Sequence, residues 1–265
     1  MQKKPARKYA AKPRTAKELV PREHPAAQPV KAYKNHDFLM SQEARTLRML
    51  AEYMEPQTRL ARHSVHKAII FWGSARLKPK PKSGPDYYQL ATDVAERLAR
   101  WTSEAHAPEE RFYFCCGGGP GIMEATSKGV ARVDRKLNVA LNISLPFEQS
   151  VNDYVTPDLA FEFHYFFMRK FWFMKLAEAM VVFPGGFGTF DELFEMLTLV
   201  QTGRARPMPF VLIGREFWNE VVNFEALARR GLISRQDFEN IHFADTVEEA
   251  FLHLSRGLTS AWPSP

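Results

Sequence analysis

Short apolar runs alternate with amphipathic segments along most of this chain. The runs include "KAIIFW", "RFYFCC", "LNVALNISL", "AMVVFP" and "PFVLIG". Each is followed by a segment with helical spacing, for example "YYQLATDVAERLARW". Strands that read as continuous apolar runs and are separated by helices are typical of βαβ units around a parallel sheet. The alternation predicts a single α/β domain, a Rossmann-like doubly wound parallel sheet, over residues 66–258.

The residues before this domain have a different composition. Residues 1–34 carry ten Lys or Arg and two Glu, a net charge of +8, whereas the rest of the chain carries −2. Such a segment, poor in large apolar residues, predicts a disordered basic tail. A basic arm can bind nucleic acid through its phosphates, but base recognition needs more than charge, which favours a solubilising extension.

Residues 35–65 have helical periodicity. Apolar positions such as Leu39, Leu47, Leu50 and Met54 follow three- and four-residue spacings, which predicts an amphipathic helix packed on the domain or on a partner subunit. The predicted organisation is therefore the tail, a helical extension over 35–65, the α/β domain over 66–258 and a C-terminal tail over 259–265.

Membrane, metal and disulfide functions are disfavoured by the sequence. No apolar run approaches the roughly 20 residues of a membrane span, and no signal-peptide core is present, so we expect a cytoplasmic protein. Cys115 and Cys116 are adjacent in a predicted strand, where neighbouring side chains point to opposite faces. We expect reduced core thiols and neither a metal site nor a cofactor, because His and Cys show no ligand spacing.

Glycines concentrate directly after three of the apolar runs, in "FWGSAR", "CCGGGPGIMEA" and "FPGGFGTFDE". The carboxyl ends of parallel strands share one edge of the sheet, where ligands bind. Two of these turns open helices, whose unpaired first amides and dipole favour anions. Neither turn matches the dinucleotide fingerprint or the P-loop, which disfavours a nicotinamide cofactor or an NTPase cycle. The turns predict a phosphate site.

Charged side chains are expected at the same edge. Arg169 and Lys170 lie at the start of one predicted helix, and Asp191 and Glu192 lie in the first turn of the next. Because both helices begin at the carboxyl edge, two cations and the Glu192 carboxylate can meet beside the glycines. The alternative is a set of solvated helix ends, in which the acids complement the dipole and Thr189 is an N-cap.

These residues resemble the paired motifs of the LOG (LONELY GUY) family, whose members are often labelled lysine decarboxylases. The family combines an Arg-Lys pair with P-G-G-x-G-T-x-x-E, which here reads "PGGFGTFDE" after Arg169 and Lys170. The resemblance covers roughly residues 67–215. It implies hydrolysis of the N-glycosidic bond of a nucleoside 5′-monophosphate to free base and ribose 5-phosphate, in a homodimer or larger homo-oligomer.

The resemblance also assigns roles to residues. Glu192 matches the catalytic glutamate of the family, and Arg169 matches its partner arginine. A carboxylate near C1′ stabilises oxocarbenium charge and can orient or deprotonate water. The expected substrate-binding residues are Ser74, Gly118, Gly119, Gly121, Lys170, Gly185, Gly186, Gly188, Thr189, Asp191 and Thr198.

The substrate and two other functions stay open at this point. The segment "PFEQSVNDYVTPDLAFEFHYFF" differs from the short plant-type members, so AMP, cytokinin riboside monophosphate and other monophosphates are all candidate substrates. A pyridoxal phosphate decarboxylase using Lys170 would leave Glu192 without a task. A non-catalytic carrier of a nucleotide or of molybdenum cofactor would use similar glycine turns, but it does not need the Arg169 and Glu192 pair, and the pair favours an enzyme.

Overall fold

The computed structural model describes residues 29–145 and 150–261, without the side chains of residues 260 and 261. Most of the predicted basic tail, residues 1–28, lies outside the described residues. The chain divides into two units, the first ending at Arg45 and the second beginning at Thr46. The described part of the first unit contains a 3-10 turn, Ala32–Lys34, and helix α1, His36–Met40.

A single parallel sheet of seven strands organises the described part of the second unit, in the order β4-β3-β2-β1-β5-β6-β7. This arrangement confirms the predicted Rossmann-like α/β fold. The strands are β1 (Ala68–Trp72), β2 (Tyr113–Cys116), β3 (Asn138–Ile143), β4 (Ala160–Phe163), β5 (Ala177–Val182), β6 (Phe210–Ile213) and β7 (Ile241–Ala244).

Helices cover both faces of this sheet, as successive strand residues indicate. Ile69 and Phe71 belong to one apolar cluster and Ile70 and Trp72 to the other, because adjacent side chains point to opposite faces. The remaining helices are α2 (Arg45–Arg62), α3 (Tyr87–Ala105), α4 (Ile122–Asp134), α5 (Phe166–Leu176), α6 (Phe187–Gln201), α7 (Arg215–Val221), α8 (Phe224–Arg229), α9 (Arg235–Glu239) and α10 (Val247–Ala261).

The predicted helices are divided more finely in the structure. The N-terminal segment forms two helices, since Ser41 takes an extended conformation that ends α1. The segment "EFWNEVVNFEALARRG" also forms two helices, α7 and α8, where a single helix is predicted. Asn223 causes this break, because its side chain accepts a hydrogen bond from the Ala226 amide at 2.8 Å and caps a new helix.

Two further predictions concern the burial of particular side chains, on α2 and at the two cysteines. The apolar positions Leu47, Leu50 and Met54 of α2 are about half exposed, so this face of the helix is not packed on the domain. Cys115 and Cys116 are buried free thiols, as expected. None of the described helices has the length and hydrophobicity of a membrane span.

The strand order places a crevice at the centre of the sheet. The chain runs from β1 outward to β4 and then returns to β5, on the other side of β1. Ligands of doubly wound sheets bind at this switch point, outside the carboxyl ends of the strands. Here the amide of Ser74, just after β1, donates to the carbonyl of Pro184, just after β5, at 3.0 Å.

Candidate active site

A cleft of about 820 Å³ opens at the ends of β1 and β5. Its volume lies in the range of small-molecule sites. One wall is the loop after β1 and the other is the first turn of α6, with Glu192 and Met123 also exposed to the cleft. The lining residues are Gly73, Ser74, Ala75, Arg76, Met123, Gly186, Phe187, Gly188, Thr189, Phe190 and Glu192.

Ser74 fixes the geometry of the first wall. Besides its amide bond to Pro184, its carbonyl accepts from the Ile122 amide at 3.1 Å, which joins the loop to the start of α4. Its side-chain oxygen accepts from the Arg76 amide at 3.1 Å. The hydroxyl proton of Ser74 has no acceptor among the described residues and is available to a ligand.

The second wall is a helix start without a cap. Gly186 is the N-cap residue of α6 and has no side chain to bind the first amides. Within the described part of the chain, the amides of Phe187, Gly188 and Thr189 have no hydrogen-bond acceptor. Unpaired amides at the positive end of a helix dipole form an anion site.

The three glycines of this turn serve different purposes. A Cβ atom on Gly185 would lie 2.1 Å from the Thr189 Oγ1, so Gly185 makes room for the Thr189 side chain. A Cβ on Gly186 or Gly188 would meet no atom of the described residues within 4 Å, apart from the neighbouring backbone of its own turn. Protein packing therefore does not require glycine at these two positions, and the missing side chains instead leave the cleft open to a ligand.

Glu192 and Arg169 form an ion pair beside this turn. The Arg169 Nη2 and the Glu192 Oε1 lie 3.1 Å apart, and the side chains are 13% and 11% exposed. Arg169 also lies over the rings of Phe166 and Phe173, at 5.4 and 5.8 Å from their centroids. These rings and the ion pair hold the guanidinium in place beside Glu192.

Burial dominates the electrostatics of Glu192. It raises the pKa of the Glu192 carboxyl to about 7, although the Arg169 cation acts in the opposite direction. Both protonation states are therefore populated near neutral pH. A general acid or base works best when its pKa lies near the operating pH, so Glu192 is suited to proton transfer inside the cleft.

The second glycine turn has a structural role and does not line the cleft. The carbonyls of Gly118 and Gly119 accept hydrogen bonds from Asn152. Gly121 has φ +69°, and a Cβ there would lie 2.4 Å from the Ser74 carbonyl. That carbonyl already binds the first amide of α4, so this amide is not available to a ligand. The structure does not bring Gly118, Gly119 and Gly121 to the cleft.

Lys170, Asp191 and Thr198 lie on a neighbouring surface. The Lys170 Nζ forms ion pairs with Asp191 at 2.9 Å and with Glu195 at 2.8 Å. The Thr198 hydroxyl donates to the Phe194 carbonyl at 2.7 Å. These residues line a shallow cavity of about 580 Å³ on the outer side of α6. Adjacent helical residues point about 100° apart, which separates Asp191 from Glu192.

Lys170 does not fit the role of a Schiff-base lysine. Burial acts to lower its pKa, but the hydrogen bonds that Lys170 donates to Asp191 and Glu195 outweigh this effect and leave the pKa raised. A lysine that attacks a carbonyl has to lose its proton, and this pairing opposes that loss. The residues present therefore do not fit pyridoxal phosphate chemistry. Among the described residues no His, Cys, Asp and Glu cluster could hold a metal ion.

Sequence reasoning missed six residues of the cleft, which are Gly73, Ala75, Arg76, Met123, Phe187 and Phe190. Arg76 and Met123 line it, and so does Phe187, which is 97% exposed. Arg76 lies in the quoted "FWGSAR" turn, and its position two residues after Ser74 at a strand end is the signal that indicates it. Phe187 occupies the variable position of the P-G-G-x-G-T motif, whereas nothing in the pattern distinguishes Met123 from a core residue.

Together the fold and the cleft define a Rossmann-like α/β protein with an arginine-paired glutamate at its switch point. The model of a family described as "Possible lysine decarboxylase" matches residues 123–254. A protein of Oryza sativa subsp. japonica, "Probable cytokinin riboside 5′-monophosphate phosphoribohydrolase LOG4", is 26% identical over 205 residues, 76% of this chain and 82% of that protein. Both matches support the resemblance of this chain to the LOG family.

A solved structure is also similar. The molybdenum cofactor binding protein from the phototrophic bacterium Rippkaea orientalis matches with a TM-score of 0.47 and 18% identity. The match covers 72% of this chain and 96% of that one. At this TM-score the likeness carries no conclusion about this chain.

Proposed function

We propose that this protein hydrolyses the N-glycosidic bond of a nucleoside 5′-monophosphate and releases the free base and ribose 5-phosphate. The observation that carries the proposal is the position of Glu192. This nearly buried carboxyl, with a pKa of about 7, opens into the same cleft as the uncapped first turn of α6. One cavity thus offers amides for a phosphate and an acid-base group for the sugar.

The reaction needs water and no cofactor. Breaking the bond between C1′ and the base nitrogen develops positive charge on the sugar, which the ionised Glu192 stabilises. The same carboxylate orients a water molecule and takes its proton as the oxygen bonds to C1′. The proton is returned to the departing base, so the water supplies a hydroxyl to the sugar and a hydrogen to the base.

Arg169 positions the carboxylate for this step. Its ion pair at 3.1 Å fixes one oxygen of Glu192, and no described residue donates a hydrogen bond to the other oxygen. Arginine keeps its charge at any pH at which the protein is folded. We therefore propose Arg169 and Glu192 as the catalytic pair, with Ser74, Gly186, Gly188 and Thr189 at the ligand.

Several bases are candidates for the base of the substrate. The rice relative is named for a cytokinin riboside 5′-monophosphate, and at 26% identity this name makes that compound one candidate beside AMP. The apolar side chains that line the cleft, Met123, Phe187 and Phe190, offer contact surface for a planar ring. A panel of monophosphates is therefore the appropriate assay.

The test is a chromatographic assay without added cofactor. We expect the wild-type protein to release free base and ribose 5-phosphate from at least one monophosphate, and Glu192→Gln to reduce the rate by about a hundredfold or more. Glu195→Gln is the matched control, because Glu195 lies on the same helix and binds Lys170 outside the cleft. A nucleotide that binds tightly and is never cleaved would instead support the carrier function.

The proposal also covers the oligomeric state of the protein, its compartment and the role of its tail. Large apolar side chains are exposed on two helices of the second unit, and we propose that they support a homodimer or a larger homo-oligomer, to be measured by light scattering. We also propose a cytoplasmic protein, in line with its two free thiols, with a solubilising tail before residue 35. The exposed residues are Leu47, Leu50, Met54, Phe166, Phe167 and Phe171.

A further inference from the structure

The cations near the cleft differ in whether they have a carboxylate partner. Arg169 is paired with Glu192, and Lys170 is paired with Asp191 and Glu195. Arg76 also lines the cleft, but its guanidinium has neither an ion pair nor a hydrogen bond to any residue that the structure describes. A guanidinium carries five N–H donors, and those of Arg76 are available to a ligand.

The backbone that carries Arg76 is held firmly. Its amide donates to the Ser74 side chain, and Ser74 is in turn bonded to the carbonyl of Pro184, directly before the glycine turn of α6. Gly121 packs against the Ser74 and Ala75 backbone from the other side. Arg76 therefore presents its side chain from a fixed backbone position on the wall opposite α6.

We propose that Arg76 is the specificity residue that recognises the substrate's 5′-phosphate, together with the free amides of α6; this inference rests on the proposed function. Arginine binds phosphate through two parallel, charge-assisted hydrogen bonds. The helix amides carry only partial charges, so a full cation on the facing wall is needed to neutralise a phosphate dianion.

The placement of charge also orients the ligand. Glu192 repels an anion when it is ionised, whereas Arg76 and the first turn of α6 attract one. A nucleoside monophosphate therefore binds with its phosphate toward Arg76 and its sugar carbon toward Glu192. A nucleoside without the phosphate lacks this anchor, so Arg76 distinguishes monophosphates from nucleosides.

The same loop provides a control for general positive charge. Lys78 is exposed two residues after Arg76 and does not line the cleft. Removing Lys78 lowers the positive potential of the loop by one unit without removing a donor from the cleft. An effect of Arg76 that exceeds the effect of Lys78 therefore reports direct contact with the anion.

The experiment measures binding of ribose 5-phosphate by calorimetry, because this probe contains the phosphate and is independent of the base. We expect Arg76→Ala to weaken its binding about ten- to a hundredfold. Arg76→Lys should restore part of the affinity, and Lys78→Ala should change it less than about threefold. Ribose without phosphate should bind all variants equally weakly. Melting curves check that each variant is folded, as expected for exposed residues.

The two proposals can fail separately. If Arg76→Ala binds ribose 5-phosphate as well as the wild type does, or if the wild type does not bind it, the assignment of Arg76 is overturned. If binding depends on Arg76 but no monophosphate is cleaved, the assignment stands and the hydrolase function fails. With a cleaved substrate, the loss in Arg76→Ala should fall mainly on KM, as expected for a phosphate anchor.

Discussion

At the scale of single residues, two opposing effects set the pKa of Glu192. Burial raises its pKa to about 7, while Arg169 at 3.1 Å acts to lower it. An exposed glutamate is fully ionised at neutral pH and is a weak base. Near pH 7 the neutral and ionised forms of Glu192 have similar free energies in this cleft. Small changes in nearby charge or burial therefore shift the fraction of Glu192 that is ionised.

The pH dependence of catalysis follows from this balance. If the ionised Glu192 activates water, kcat/KM for the cleaved monophosphate should rise with pH to an inflection near 7 and then level off. Arg169→Met removes the cation that lowers the pKa and should move the inflection to higher pH, whereas Arg169→Lys should move it less. A profile with its inflection near 4.5 in the wild type would contradict this role.

The stability of the fold should respond to the same group. The pKa of Glu192 is about 7 in the folded chain against an ordinary 4.5. The folded state therefore binds the extra proton between these values, and stability falls as pH rises from 4.5 to 7. Glu192→Gln cannot ionise, so it should melt at a higher temperature than the wild type at pH 8.

Melting curves at several pH values check this prediction. The gain in melting temperature for Glu192→Gln should shrink as the pH is lowered and vanish below about 4.5, where both states of the wild type are protonated. Glu195→Gln should show no such trend, since its carboxyl is paired with Lys170 on the outer surface. A gain that is equal at pH 5 and pH 8 would show that packing, not ionisation, is responsible.

The site residues that sequence reasoning identified differ in the kind of evidence that indicated them. The ion pair of Arg169 and Glu192 was predictable, because two helix starts at one sheet edge have to lie near each other. Lys170 and Asp191 were assigned because they adjoin Arg169 and Glu192, and Thr198 was assigned because it matches a ligand position of the family. The rotation of α6 about its axis decides whether Asp191 and Thr198 face the cleft, and that rotation is set by packing against the sheet.

At the scale of elements, α6 combines unpaired amides and the Glu192 carboxyl within its first two turns. Its free amides and Glu192 are separated by only a few residues, so their relative geometry is rigid. The second glycine turn could not be distinguished from this one by sequence. Both have the composition of an anion site, but the Ser74 carbonyl, which comes from a different strand, already binds the first amide of α4.

The glycine turn before α6 allows a matched pair of substitutions. Gly185→Ala would place a Cβ 2.1 Å from the Thr189 Oγ1 and should cost about 1–3 kcal/mol of stability. Gly186→Ala meets no atom of the described residues within 4 Å apart from the neighbouring backbone, so it should leave the melting temperature unchanged and weaken ribose 5-phosphate binding. Calorimetry and melting curves measure both. If Gly186→Ala binds as the wild type does, the ligand does not approach this backbone closely.

At the scale of the whole molecule, the doubly wound sheet was predictable because both of its faces are buried and each strand therefore reads as an apolar run. The breaks between helices were not predictable, because they depend on single capping residues such as Asn223. The edge strand β7 adds a second, partly buried titratable site. His242 and His253 stack there with their ring centroids 4.1 Å apart.

This histidine pair should make the fold sensitive to acid. Burial and the neighbouring His242 lower the pKa of His253 to about 4, although a hydrogen bond to the Phe210 backbone acts in the opposite direction. The pKa of His242 is also lowered, by burial and by Arg215 against the effect of Glu249. Unfolded histidines take up protons below about pH 6.5, so the folded state loses stability as the pH falls from 6.5 toward 4.

Denaturation by urea at pH 7 and pH 4.5 measures how the histidine pair changes the free energy of unfolding. Glu192 changes this free energy in the opposite direction over the same pH range, so its contribution has to be removed. In a Glu192→Gln background, the remaining loss of stability at pH 4.5 should be smaller when His253 is replaced by Gln, which cannot take up a proton. Exposed His36→Gln is the control and should leave the loss unchanged. An equal loss with and without His253 would mean that other groups govern the acid unfolding of this protein.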